Sequence, residues 1–200
     1  MKAAAVGFRP HSGWTAMVAV SLERGEPVVL LRERVHLVKT FSYTYRQPYH
    51  TAAKAPLEEG RAFIAQVRRE AQQLAGGALR RTKTKLAAAD YQMTHCGLLL
   101  GSGRALPALE KILAAHPLIH TADGELFREA LARACTRCSL QLLCTKEKEL
   151  VSETAESLRV KETALLRRVT ELGKPLGAPW SQDEKYATLV AWLALSDSAS

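Results

Sequence analysis

No apolar run in this 200-residue sequence approaches the roughly 18 residues that a membrane-spanning helix requires. The run near the N-terminus, one Lys followed by a few Ala and Val, is also too short for a secretory core. The expectation is a cytoplasmic protein with no membrane contact. Cysteine is scarce: Cys96, Cys135, Cys138 and Cys144 are four thiols in a cytosolic-type chain, where a disulfide framework is not expected. Cys135-Thr-Arg-Cys138 has the spacing of half a zinc site, and Cys96, Cys144, His95 and His120 are the nearby residues able to complete it. The pair falls where a helix runs out, so the cysteines are read as buried thiols, and no metal or cofactor is assigned.

Acid is missing from one half of the chain. Residues 1–100 hold 15 Lys/Arg against 7 Asp/Glu, whereas residues 101–200 hold 13 of each. The excess is densest at Arg61, Arg68, Arg69, Arg80, Arg81, Lys83 and Lys85, opposed there only by Glu70. Such a cluster suits a phosphate backbone, since neutralising phosphates releases condensed counterions; a solvated helix face is the alternative. Nucleic acid is the partner this charge distribution predicts.

With apolar residues at 47% and charged ones at 24%, the composition is that of a globular chain, and its length fits one domain spanning 1–200. Two short apolar runs, Ala3 to Phe8 and Trp14 to Val20, flank Arg9-Pro10-His11-Ser12-Gly13 and predict a β-hairpin. A third strand follows over Pro27 to Val38. Residues 39–56, with three tyrosines, His50 and two prolines, are read as a long connection whose aromatics cap the core edge or stack on bases.

An amphipathic helix is predicted from Leu57 to Ala75, where Phe63, Val67, Ala71 and Leu74 share a face and Gly76-Gly77 acts as a stop. Tyr91 to Leu100, before Gly101-Ser102-Gly103, has the compactness of a central strand. Pro107 opens a short helix, and a longer one runs to about Arg137 with Thr121 as its N-cap and Asp123 and Glu125 in its first turn. Ser139 to Cys144 is a second buried strand. Apolar spacing over about 145–172 predicts one long helix able to pack on a second copy or another protein. Ser181 and Glu184 form a capping box that opens a last helix over about 181–195.

The hairpin Gly7-Phe8-Arg9-Pro10-His11-Ser12-Gly13-Trp14 resembles that of the RNase H-like nucleases, in particular the RuvC-type Holliday junction resolvases. In that family the first strand ends Gly-apolar-Asp-Pro-Gly-Ser. Asp183-Glu-Lys-Tyr186-Ala187 resembles the family's last-helix pattern, Asp-x-x-Asp-Ala-Leu-Ala, with Tyr186 replacing the second acid. The resemblance implies an α/β fold: a mixed five-stranded sheet, its first three strands antiparallel, with helices on both faces. It places Arg9 where a metal-binding aspartate belongs, and Tyr91 to Leu100 contains no acid. The expected function is thus a catalytically degenerate domain binding nucleic acid or a protein, with Arg9 paired to Asp183 or Glu184. The alternative is a hydrolase or nuclease using His11, Ser12, Ser102, His120, Glu125 and Asp183, which must then converge in one cleft.

Overall fold

The computed structural model describes residues 1–101 and 105–197. Strands β1 (Lys2–His11), β2 (Trp14–Glu23) and β3 (Glu26–His36) form the antiparallel meander, and β4 (Tyr91–Leu100) and β5 (Gln141–Lys146) extend it in parallel. The sheet order is β3-β2-β1-β4-β5, so the first strand lies at the centre, as its unbroken apolar run requires. Successive side chains on β1 feed two different cores. Val6 and Phe8 pack with α3 (Leu57–Ala88) and α5 (His116–Arg137) on one face. Ala5 packs with α8 (Gln182–Ser196) on the other.

Gly7 and Gly97 face each other across the β1–β4 register and form a notch for α8. A β-carbon on Gly7 would overlap the Ala187 carbonyl, and one on Gly97 would overlap that of Val190. The last helix therefore lies directly on the strand backbones. That close seat fixes where its N-terminus, and with it Asp183, meets the end of β1.

Several local expectations are overturned. Helix α3 does not stop at Gly76-Gly77 but runs on to Ala88, because burial of Ala78, Leu79, Thr82 and Leu86 outweighs about 1 kcal/mol per interior glycine. Helix α5 begins at His116, not after Thr121; the Thr121 hydroxyl donates back to the Pro117 carbonyl within the helix. The stretch 39–56 is not an irregular connection: it contains two short helices, α1 (Tyr43–Arg46) and α2 (Pro48–Ala52). Between them and α5 lies α4 (Leu109–Leu113), shorter than its sequence pattern.

The single helix expected over 145–172 is instead the end of β5 and two helices, α6 (Leu150–Ser157) and α7 (Glu162–Leu172). Arg159 takes a left-handed φ of 54° and the Val160 N–H donates to Ala155, the closure that terminates a helix. The apolar spacing that implied a docking seam belongs to an internal core. Leu165 and Val169 pack against Leu189, Val190 and Trp192 of α8, leaving Leu166 and Val160 as the exposed apolar residues of this segment.

Candidate functional site at the strand ends

Parallel strands β1, β4 and β5 all finish at one edge of the sheet, delivering Arg9 and His11, Gly101, and Glu147 respectively. The N-terminus of α8 meets them there. Its capping box forms as the sequence predicts: Ser181 Oγ accepts from the Asp183 N–H, and Glu184 Oε2 accepts from the Ser181 N–H at 2.7 Å. Glu184 is thereby committed to the cap, and Asp183 is the acid that turns towards β1.

Arg9 lies between two carboxylates. One edge of its guanidinium grips Glu147, with Nη2 to Oε1 at 2.7 Å and Nε to Oε2 at 3.2 Å, and Nη1 pairs with Asp183 Oδ1. The ring of Tyr186 lies 5.4 Å from the Arg9 guanidinium carbon. His11 Nε2 reaches the same Asp183 oxygen at 2.8 Å and stacks on Trp14 at 4.2 Å. Burial works against the Arg9 charge, but the hydrogen bond and charge of Glu147, reinforced by Asp183, hold its pKa above the ordinary arginine value. Of the two partners the sequence offers, Asp183 and Glu184, it is Asp183 that pairs with Arg9. Sequence reasoning missed Glu147, which the β5 end brings from far along the chain.

Divalent ions of the two-metal type need several carboxylate oxygens around them. The side chains present do not fit such a pair, since a guanidinium stands among the acids and repels cations. The side chains at this position therefore do not support a metal-dependent cleavage step.

The sequence-predicted hydrolytic residues come together in part. His11, Ser12, His120 and Glu125 line one cleft of about 410 Å³ with Pro10, Gly101 and Arg128. Among the described residues, Asp183 touches this group through His11. Ser102 lies outside the described residues. Arg128 bonds Glu125 at 3.1 Å, so Glu125 is held by a cation and is not free to orient a histidine.

The basic cluster on α3 is dispersed. Arg61 binds Glu58 and Glu110, and Arg68 faces Glu129 and the Tyr49 hydroxyl. Arg80, Arg81, Lys83 and Lys85 sit in the last turns of α3, next to the start of β4 and therefore at the opposite end of the sheet from Arg9. Arg69, Arg80, Arg81 and Lys83 have no ion pair among the described residues. A second cationic surface, unmarked by any charge run, lies beside the strand ends. Arg34 covers Trp14 at 3.8 Å, Arg46 covers Phe41 at 4.5 Å, and His36 stacks on Phe41 at 4.6 Å. Neither arginine is paired with a carboxylate among the described residues.

A third group was not foreseen. His50, His116 and His120 gather with one ring nitrogen each inside a 4.8 Å span. Asp123, expected as a helix-start acid, is buried inside α5 and serves α2: it accepts the Tyr49 N–H at 2.7 Å and meets His50 Nδ1 at 2.5 Å. Burial raises the Asp123 pKa, while the bonds from His50 and the Tyr49 N–H pull it back. The sequence signal is the His116–His120 spacing of one helical turn, which a helix start at Thr121 hides.

No protein-family model and no curated protein sequence matches the chain. Solved structures do match. RuvC of Thermus thermophilus superposes with a TM-score of 0.53 at 10% identity, covering 98% of this chain and 95% of that one. The T. thermophilus RuvC in complex with a Holliday junction substrate gives 0.56 at 11%, covering 98% and 94%. The yeast mitochondrial Holliday junction resolvase Ydc2 gives 0.51 at 12%, covering 98% and 80%.

Proposed function

Starting from an RNase H-like, RuvC-type fold, we propose that this chain binds a nucleic-acid backbone across its strand ends and does not cleave it by a two-metal route. The observation that carries the reading is Arg9 between Asp183 and Glu147: an internal cation occupies the bonding positions of both acids on which such chemistry would depend. Next to it, Arg34 and Arg46 have no carboxylate partner among the described residues and are held in place by the rings of Trp14 and Phe41, a fixed pair of cations that fits phosphates. Binding of RuvC to a junction across the same type of fold supports the choice of a branched DNA as first probe. The α3 cluster, split by its own acids and by distance, acts as an auxiliary surface. A protein partner through the 145–172 segment is disfavoured because its apolar seam is already buried under α8.

The test is a binding titration of a four-way DNA junction, duplex DNA and duplex RNA over a salt series. The expected result is an affinity that falls steeply with salt, with the slope reduced by about one unit in Arg34→Ala. Absence of binding, or binding without a salt slope, overturns the proposal. The hydrolase reading draws on the shared cleft of His11, Ser12, His120 and Glu125. It predicts phosphodiesterase or esterase turnover that disappears in His11→Ala, and it falls if no substrate in such a screen is turned over.

A further inference from the structure

His50 Nδ1 is engaged by Asp123, so the nitrogen it turns outward is Nε2. From the next helix, His116 and His120 approach each other at 2.9 Å through their own Nε2 atoms. The ring centroids of His50 lie 5.3 Å from His116 and 4.5 Å from His120, at steep interplanar angles that let all three edges point inward. Two nitrogens each about 2.0 to 2.1 Å from one ion lie about 3 to 3.4 Å apart, so the described arrangement needs only small rotamer shifts. We propose that His50, His116 and His120 bind one divalent transition-metal ion of the zinc class, with Asp123 as the outer carboxylate that fixes the His50 ring and at least one position open to the strand-end cleft.

Three features support this against an ordinary histidine cluster. The ligand set is nitrogen only, which suits zinc, cobalt or nickel and does not suit magnesium or calcium. The carboxylate–histidine pairing sets the tautomer, because a ring donating from Nδ1 presents a lone pair at Nε2. His116 and His120 are exposed and one helical turn apart, and His120 also lines the cleft shared with His11, so an ion and its water can enter. In the described state one of the two Nε2 atoms carries the proton of the His116–His120 hydrogen bond. Metal binding displaces that proton to Nδ1 of the same ring, leaving a neutral imidazole ligand and balanced charge on the ligands.

The metal site shares no ligand with the Arg9 group, and its test does not require nucleic-acid binding. The untagged chain is dialysed against Zn²⁺ and assayed for metal content, then titrated with Co²⁺ while the visible spectrum is followed. One equivalent of metal is expected, with a nitrogen-ligand spectrum, a rise in melting temperature, and an affinity reduced at least 100-fold in His116→Ala/His120→Ala. Both positions are exposed helix sites where alanine preserves the fold. Asp123→Asn should weaken binding about 10- to 100-fold. The proposal is overturned if no stoichiometric ion is held, if the double variant binds as well as the parent chain, or if the spectrum is that of thiolate ligands and disappears in Cys135→Ser.

Discussion

At the end of β1, Arg9 fills the space between Asp183 and Glu147 with its own charge. Across the same sheet edge, His50, His116 and His120 bring three ring nitrogens together, and Asp123 engages only the far side of one of them. The first group is closed: one guanidinium binds both carboxylates, and a cation arriving from solvent meets it. The second is open, since three ring nitrogens converge with no Lys or Arg paired to them among the described residues. The same end of the sheet thus carries one cluster whose acids are tied to an internal cation and, a short distance away on α2 and α5, another in which three ring nitrogens converge. Compensation, more than the mere presence of ionisable residues, separates a structural cluster from a site able to take a ligand.

The comparison can be broken most forcefully at its foundation. Gly97→Ala pushes a methyl group into the Val190 carbonyl, and Gly7→Ala does the same at Ala187. Either should cost about 3 kcal/mol, read by denaturant unfolding, because backbone rather than side chain must move. The closed site should suffer with the fold, since α8 carries Asp183; the histidine group, held by α2 and α5, should keep its metal affinity while the chain remains folded.

Arg9→Asp is aimed at the closed site itself. It sets three acids together and should destabilise the chain by about 2 kcal/mol at low ionic strength. Mg²⁺ should restore part of the loss by binding the folded state, with no comparable effect on the parent protein. A loss of less than about 0.5 kcal/mol with no response to Mg²⁺ would mean that Arg9 compensates nothing.

Trp14→Ala removes the face on which both His11 and Arg34 rest and should weaken single-stranded or junction DNA binding by about 1 kcal/mol, roughly fivefold, in an anisotropy titration. The smallest effect concerns pH at Asp123. Its carboxyl pKa is raised in the folded chain, so between the unfolded and folded values the native state holds more protons than the unfolded one. Its contribution to stability is therefore fully present below the unfolded value and is lost as pH rises through the folded value. Asp123→Asn should remove that component, seen as a flattened difference in unfolding free energy over the acidic range.

Much of this architecture was legible from short-range pattern. The β1–β2 hairpin follows from two apolar runs around Pro10 and Gly13, and the α8 start follows from Ser181 and Glu184, because both are set by neighbours in sequence. The pairing of Arg9 with Asp183 was legible only through the resemblance, which supplied a long-range neighbour. What failed was decided by tertiary burial. Gly76-Gly77 stays helical because residues beyond it are buried, and 145–172 breaks at Arg159 so that α6 and α7 can both pack into the one core under α8. The histidine group was invisible for a related reason: His50 and the α5 pair are joined only when Asp123, from inside α5, ties down the first turn of α2.

The notch formed by Gly7 and Gly97 also has a consequence for the order of assembly. The helix that covers the second face of β1 and β2 follows every other described element in the chain, so Ala5, Val18 and Val20 stay uncovered until α8 has been made. A contact joining such distant segments is slow to form and leaves an apolar sheet face open to other chains in the meantime. Chains halted before residue 182 should therefore be held by chaperones or aggregate, even though all five strands are already present.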